Sequence, residues 1–149
     1  MSDDLQRLVA RVAIEELNAR FAQCLDEADY DGLPALFTAD ARYVSGAREL
    51  HGGEGVRAFF AERAKLGART TRHLGTSLQL RFEAGVTVAR GHSVWLSFAC
   101  NEPAPVAKVT PFMVADFEDL YVRGADGAWR LHERRITPAF HEPTLAGRK

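Results

Sequence analysis

The stretch TTRHLGTSLQLRFEAGVTVARGHSVWLSFAC, residues 70–100, decides the fold class. It contains two long segments of strand character, 70–83 and 87–100, which a short glycine-bearing loop separates. Apolar residues alternate with others along these segments, and a loop of this kind is typical of an antiparallel hairpin. Two more such segments, 109–123 and 128–138, follow after turns, so this half of the chain predicts long antiparallel strands.

The N-terminal half has the period of helices instead. Residues 5–28 are predicted to form a helix, because one apolar stripe recurs at helical spacing: Ile14, Leu17, Phe21, Cys24 and Leu25. A short second helix is predicted over 31–37, with Asp31 as its cap. A third begins at Gly52-Gly53 and ends near Gly67. Short strands are predicted between them, at 41–45 and 48–51.

Helices followed by strands predict a single α+β domain over residues 1–149. Three helices would pack on one face of a strongly curved, mostly antiparallel sheet and enclose a pocket. Residues 139–149 are predicted to form a tail or a flap.

Composition and charge exclude several classes of function. With a formal net charge of −1, the chain has no basic face for a nucleic acid, and its arginines, Arg134 among them, alternate with acids as on a solvated surface. The apolar runs are too short for a membrane span, and no secretory leader is visible, so a cytoplasmic protein is predicted. No metal-ligand spacing and no glycine-rich phosphate loop occur, so no metal or cofactor is expected.

Several short motifs, taken in order, resemble one known family. They are Ile14-Glu-Glu-Leu, the run from Leu25-Asp26 to Asp40-Ala, Gly53-Glu-Gly55-Val56-Arg57-Ala-Phe59-Phe60, Thr71-Arg72-His73-Leu74, Asp126-Gly127-Ala-Trp129-Arg130-Leu131 and Arg134-Arg135-Ile136. Together they resemble the SnoaL-like branch of the nuclear-transport-factor-like superfamily. That resemblance implies a cone-shaped α+β barrel, on which dehydratases, dehydrochlorinases, isomerases, polyketide cyclases and structural subunits are all built, so the fold alone does not choose a function.

The resemblance assigns a catalytic pair to Asp26 and His73. In the dehydratases and the dehydrochlorinase of this family, an aspartate near the end of the first helix pairs with a histidine at the start of a strand. The chemistry is sound in itself, because a histidine exchanges a proton near neutral pH. A carboxylate on its other ring nitrogen fixes the tautomer and stabilises the imidazolium.

Other positions depart from the family and predict an apolar pocket. Phe21 stands where the isomerases have a tyrosine, and Ser45 where they have a carboxylate base, which argues against that isomerase apparatus. Phe98 and Phe117 stand where scytalone dehydratase has a histidine and an asparagine. Tyr43 is the predicted proton donor or oxyanion partner. The predicted substrate-binding residues are Phe21, Phe60, His92, Phe98, Met113 and Phe117.

The leading hypothesis is therefore a cofactor-independent lyase, a dehydratase or a related eliminating enzyme, acting on a hydrophobic aromatic or polycyclic small molecule. One alternative is an isomerase or polyketide cyclase that uses the same pair. Another is a non-catalytic binding protein, or a structural subunit like the small chain of ring-hydroxylating dioxygenases. Apolar residues on both faces of strands 87–100 and 109–123 also predict a homodimer or homotrimer.

Overall fold

A computed structural model describes residues 1–149 and shows the predicted α+β class. Helix α1 spans Asp3–Asp26 and is capped by Ser2, whose hydroxyl accepts a hydrogen bond from the Leu5 N–H. Helix α2 spans Gly52–Ala64. The apolar stripe predicted on α1 is buried along its whole length.

The predicted second helix is instead a pair of 3₁₀ turns, Tyr30–Gly32 and Pro34–Leu36. Asp29, rather than Asp31, caps the first turn by accepting a hydrogen bond from the Gly32 N–H. A 3₁₀ turn tightens the chain over a few residues. The chain enters the sheet at Phe37, earlier than predicted.

Six strands form one sheet: β1 (Phe37–Ser45), β2 (Arg48–His51), β3 (Thr70–Phe82), β4 (Val88–Cys100), β5 (Pro111–Arg123) and β6 (Trp129–His141). Their order across the sheet is β2-β1-β6-β5-β4-β3. All neighbours are antiparallel except β1 and β6, which run parallel. The sheet is curled and unclosed.

The helices cover one face of this sheet, which we call the inner face. Helix α1 packs on β3 and β6, and α2 packs on β1 and β2. Side chains alternate between the faces, so in β4 the buried residues Ser93, Trp95 and Ser97 point inward, while Leu96 and Phe98 point to the outer face. The hydrophobic core lies between the inner face and the helices.

The C-terminal residues are ordered against the rest of the molecule. Strand β6 continues to His141, so residues 139–141 belong to the sheet and not to a tail. A 3₁₀ turn follows at Pro143–Leu145, and the main-chain oxygens of Leu145 and Ala146 accept hydrogen bonds from Arg69 and Asn101. Neither α-helix combines the length and the apolar character that crossing a membrane requires.

Candidate active site

The structure brings Asp26 and His73 into direct contact. Asp26 is the last residue of α1, and His73 lies three residues after the start of β3, which packs against α1. The His73 Nδ1 and Asp26 Oδ1 atoms are 2.7 Å apart. Both side chains are mostly buried, with exposed fractions of 20% for His73 and 12% for Asp26.

Two further hydrogen bonds hold the carboxylate. The Thr71 hydroxyl donates to Oδ1 at 2.8 Å, and the main-chain N–H of His73 donates to Oδ2 at 3.0 Å. Burial by itself would raise the pKa of Asp26. The hydrogen bonds and the positive charge of a protonated His73 outweigh that effect, so the pKa of Asp26 lies below its ordinary value. Asp26 is therefore ionised at neutral pH.

The ionised carboxylate determines the tautomer of His73. A carboxylate only accepts hydrogen bonds, so Nδ1 must carry a hydrogen, and in the neutral ring Nε2 carries the lone pair. No protein group forms a hydrogen bond with Nε2. The pair therefore presents a free proton acceptor.

His73 lies on the wall of a cleft between α1 and β3, with a volume of about 550 Å³. Trp95 forms its floor, since the ring lies directly beneath Gly75, where a Cβ would come within 2.7 Å of it. At the far end, the Arg11 guanidinium donates to the Leu78 carbonyl oxygen at 2.9 Å and joins helix to strand. The wall residues are Arg11, Glu15, Asn18, Ala19, Ala22, His73, Gly75, Thr76, Ser77, Leu78 and Ser93.

The aromatic residues predicted to line the pocket pack on one another instead. Phe21 is 1% exposed and Phe117 is 3% exposed, and both pack on Trp95, which stacks on the Phe117 ring at 4.8 Å. Phe60 also belongs to the hydrophobic core, and Met113 packs against that core. None of these four residues reaches the cleft, whose walls are more polar than predicted because the phenyl groups fill the interior of the cone.

Tyr43 also lies away from His73. Its ring packs between Phe21, Phe37 and Phe60, with centroids 6.2 to 6.4 Å apart. Strands β6, β5 and β4 separate its strand from β3 in the sheet. Burial raises the pKa of Tyr43. The structure therefore does not bring the predicted proton donor to the pair.

His92 and Phe98 are on the opposite face of the sheet from His73. His73 is paired with Ser97, whose side chain points inward, so the next residue, Phe98, points outward. His92 shares that outer face, where its Nε2 is 2.8 Å from Asp116 Oδ1. The structure therefore does not bring either residue to the cleft beside His73, because both side chains are on the other face of β4.

Three wall residues that the sequence did not single out are Asn18, Ser93 and Trp95. Asn18 had a signal, since it stands four residues after Ile14, within the apolar stripe of α1, where a polar side chain is unusual. Ser93 accepts a hydrogen bond from the Trp95 indole N–H at 2.9 Å. No three His, Cys, Asp or Glu side chains converge as a metal site would require.

Behind Asn18 lies a buried charge pair. Arg134, predicted to be solvated, is fully buried and forms a two-pronged contact with Asp119, with both N–O distances at 2.9 Å. Its Nη2 also donates to Asn18 Oδ1 at 2.6 Å, and its guanidinium carbon lies 4.5 Å from the centre of the Phe21 ring. Tyr121 donates to Asp119 at 2.7 Å. This network fixes Asn18 at the cleft wall.

Solved structures with the same fold support the description of the architecture. A variant of a function-unknown protein from Mycobacterium tuberculosis has a TM-score of 0.80 at 21% identity, over 97% of this chain and 80% of its own. A putative scytalone dehydratase from Novosphingobium aromaticivorans has a TM-score of 0.75 at 22% identity, covering 91% and 87%. A hexachlorocyclohexane dehydrochlorinase from Novosphingobium barchaimii has a TM-score of 0.76 at 22% identity, covering 94% and 93%.

At such identities these likenesses concern the fold and not the reaction. No curated protein matches the chain significantly. The model of the SnoaL-like domain matches residues 6–135, which is most of the chain and includes both Asp26 and His73. The protein belongs to the SnoaL-like family.

Proposed function

We propose that this protein is a cofactor-independent lyase that eliminates water or a related leaving group from a small molecule with a hydrophobic ring system. The observation that carries the proposal is the free Nε2 of His73 on the wall of the cleft, with Nδ1 held by an ionised Asp26. An imidazole arranged in this way is a general base near neutral pH.

In the proposed reaction, Nε2 of His73 removes a proton from a carbon next to a carbonyl or aryl group. The electron pair of the broken C–H bond forms a double bond as the β leaving group departs with its own bonding pair. Asp26 stabilises the imidazolium while it exists. The imidazolium then returns its proton to the departing hydroxide or to water, which restores the neutral base.

The walls of the cleft support a substrate with an apolar part and a polar group. The edge of the buried Trp95 ring closes the floor, and Ala19 and Ala22 line the side formed by α1. Asn18 and Ser93 add polar groups that can orient a carbonyl or a hydroxyl. Isomerisation and cyclisation would use the same base, so the product distinguishes those reactions from elimination.

The test offers β-hydroxy ketones and aryl alcohols that carry a β-hydroxyl group as substrates. Turnover is monitored by the absorbance of the new conjugated double bond. His73→Ala is expected to lower kcat/KM by about 10²–10⁴-fold, because the general base is lost. His92→Ala is the matched control, since His92 also pairs with an aspartate, but on the outer face of the sheet. It should keep wild-type activity.

Equal activity of wild type and His73→Ala would contradict the proposal. So would binding of the compounds by both proteins without any product. A rearranged product without loss of water, still dependent on His73, would replace elimination with isomerisation or cyclisation.

A further inference from the structure

Three arginines meet where α2 ends and β3 begins, without a carboxylate beside them. The Arg48 guanidinium carbon lies 4.2 Å from the centre of the Phe59 ring, and that of Arg63 lies 5.3 Å from the same ring. Arg69 follows on the chain just before β3. None of the three forms a salt bridge, although most other arginines of the chain do.

Arg63 makes no hydrogen bond with any protein group, even though it is half-buried. Burial, followed by the positive charge of Arg48, lowers its pKa. Removing a guanidinium from water without a counter-charge is costly. Packing on Phe59 and Phe60 recovers part of that cost, since an arginine over an aromatic ring gains about 0.5–1 kcal/mol at an exposed site. Its N–H donors are left without protein acceptors.

Arg69 is held by neutral acceptors only. Its Nη1 donates to Asn101 Oδ1 at 2.8 Å and to the Leu145 carbonyl oxygen at 3.0 Å, while its buried Nε has no partner. Burial, together with the positive charges of Arg63 and Arg148, lowers the pKa of Arg69 to about 10. The groups that act on Arg69 are arginines, a tyrosine and a cysteine, so its charge is not compensated.

The C-terminal segment brings a fourth arginine to the same place. Arg148 donates to the main-chain oxygens of Ala68 and Asn101. Gly147 lies against Arg63, where a Cβ would come within 2.9 Å of the guanidinium. The C-terminus thus adds positive charge where the chain already concentrates it, and a concentration of one sign of charge attracts anions.

We propose that Arg48, Arg63 and Arg69 form a binding site for an oxyanion, the carboxylate or phosphate group of a small-molecule ligand. Arginine suits this role because its planar fork matches the oxygen pairs of carboxylate and phosphate. The rings of Phe59 and Phe60, on which the Arg48 and Arg63 guanidinium groups lie, give an organic ligand an apolar surface beside the charge. This site does not depend on the proposed elimination.

Arg69 immediately precedes β3, and His73 follows it by four residues on that edge strand of the sheet. Four residues of extended chain span roughly 13 Å. An acidic ligand of that length would place its anionic end at the arginines and its other end at the cleft. Binding of the anion alone can be measured without any turnover, which keeps the two proposals separable.

The experiment compares thermal unfolding in inorganic phosphate, in benzoate and in chloride at equal ionic strength. Wild type should gain roughly 5–10 °C in Tm at an anion concentration about a hundred times the dissociation constant. Arg63→Met and Arg48→Met should lose most of that gain. Both retain a long apolar side chain on Phe59, and the exposed Arg48 position keeps the test available if Arg63→Met folds poorly. Arg7→Met, an exposed arginine of α1, is the control for net charge and should respond like wild type.

A gain from phosphate alone, from benzoate alone or from both, if it is lost in the two variants and kept in Arg7→Met, supports the site and identifies the group that it prefers. Absence of any gain over chloride would overturn the proposal. Equal gains in all four proteins would also overturn it, because they would show a general effect of the anion on the protein surface.

Discussion

The carboxylate of Asp26 is the single group on which the orientation of His73 depends. It accepts hydrogen bonds from the His73 ring, from the His73 main chain and from Thr71. Two of the three come from the same residue, so the imidazole cannot rotate without leaving its partner. Of the pair, Asp26 sets the tautomer, and His73 would perform the proton transfer.

The low pKa of Asp26 has a consequence for stability in acid. In the unfolded chain the carboxyl group titrates near its ordinary value of about 3.9, and in the folded protein it titrates lower. Its contribution to the free energy of unfolding is therefore present above the unfolded pKa and is lost as the pH falls through the folded pKa. Asp26→Asn should flatten the loss of stability in acid, as measured by urea unfolding between about pH 3 and pH 6. Asp31→Asn, at a side chain that is 94% exposed, should keep the wild-type slope. An unchanged slope in Asp26→Asn would contradict the assignment.

Thr71 is a positioning residue, because it acts only through Asp26. Thr71→Val retains the shape of the side chain and removes the hydroxyl, so the carboxylate loses one of its donors. We expect a loss of roughly 1.5–3 kcal/mol in the free energy of unfolding, since a hydrogen bond to a charged group is lost. Loss of this donor raises the pKa of Asp26, so the fall of kcat in acid should begin at a higher pH than in wild type. A purely structural role of Thr71 would leave the pH dependence of kcat unchanged. Thr71→Ser, which restores the hydroxyl, should restore both properties.

Among the elements, β3 and β4 shape the cleft through one close approach. Gly75 of β3 lies on the Trp95 ring of β4, and the indole in turn stacks on Phe117. A methyl group at position 75 would meet the ring at 2.7 Å, in contact with atoms that the stack holds in place. The glycine is therefore required by packing and not by its backbone angles.

Gly75→Ala should lower the free energy of unfolding by about 1–3 kcal/mol, the usual cost of overpacking a filled core. Gly55→Ala is the matched control, and its effect on the free energy of unfolding should have the opposite sign. Its nearest neighbouring atom is 4.0 Å from the added carbon, and it lies inside α2. Alanine there should raise stability by about 0.5–1 kcal/mol. Chemical denaturation measures both, and equal effects in the two variants would contradict the packing argument.

The sequence predicted the positions of the helices and strands better than it predicted which side of a strand faces the helices. The period of the apolar residues located α1 and the four long strands, and the contact between Asp26 and His73 followed from the resemblance of their motifs to the family. The period of a strand also places His92 and Phe98, which are six residues apart, on one side of β4. It could not show which side faces the helices, because both sides are apolar. Trp95 and Ala99 are on the buried side, so Phe98, a predicted pocket residue, lies on the side away from the cleft.

Two further features depend on distant contacts. Strand β1 begins at Phe37, earlier than predicted, because it pairs in parallel with β6, which comes more than eighty residues later. Arg134 is buried because Asp119 on the neighbouring strand neutralises it. Local charge patterning does not reveal a pair formed across two strands, so Arg134 was assigned to the surface.

At the scale of the whole molecule, the outer face of the sheet carries an apolar row across four strands. Leu74, Leu96, Val114 and Phe140 are aligned by the strand register on β3, β4, β5 and β6. Phe140 is 73% exposed and Leu74 is 50% exposed. On the same face, Arg135 and Glu118 are directly paired across β6 and β5, so the face carries both signs of charge. An apolar band beside mixed charges is complementary to a copy of itself.

We propose that the outer face joins two or three copies of this chain. Light scattering coupled to size exclusion should then give a multiple of the 16.5 kDa chain mass for wild type. Phe140→Asp and Leu74→Asp should shift the protein to the monomer, because each places a charge in the apolar row. Val109→Asp, at an equally apolar position that is 82% exposed in a loop, should leave the assembly intact. A monomeric wild type at the highest soluble concentration would contradict the proposal.

The position of Trp95 gives this molecule an optical reporter. The chain has two tryptophans, and Trp129 packs against Phe82, outside the cleft. In a Trp129→Phe background, the indole at the floor of the cleft is the sole source of tryptophan fluorescence. A compound bound in the cleft changes the surroundings of that indole and with them its emission, whether or not the compound reacts. Binding of a compound in the cleft can therefore be measured by fluorescence before any reaction product has been identified.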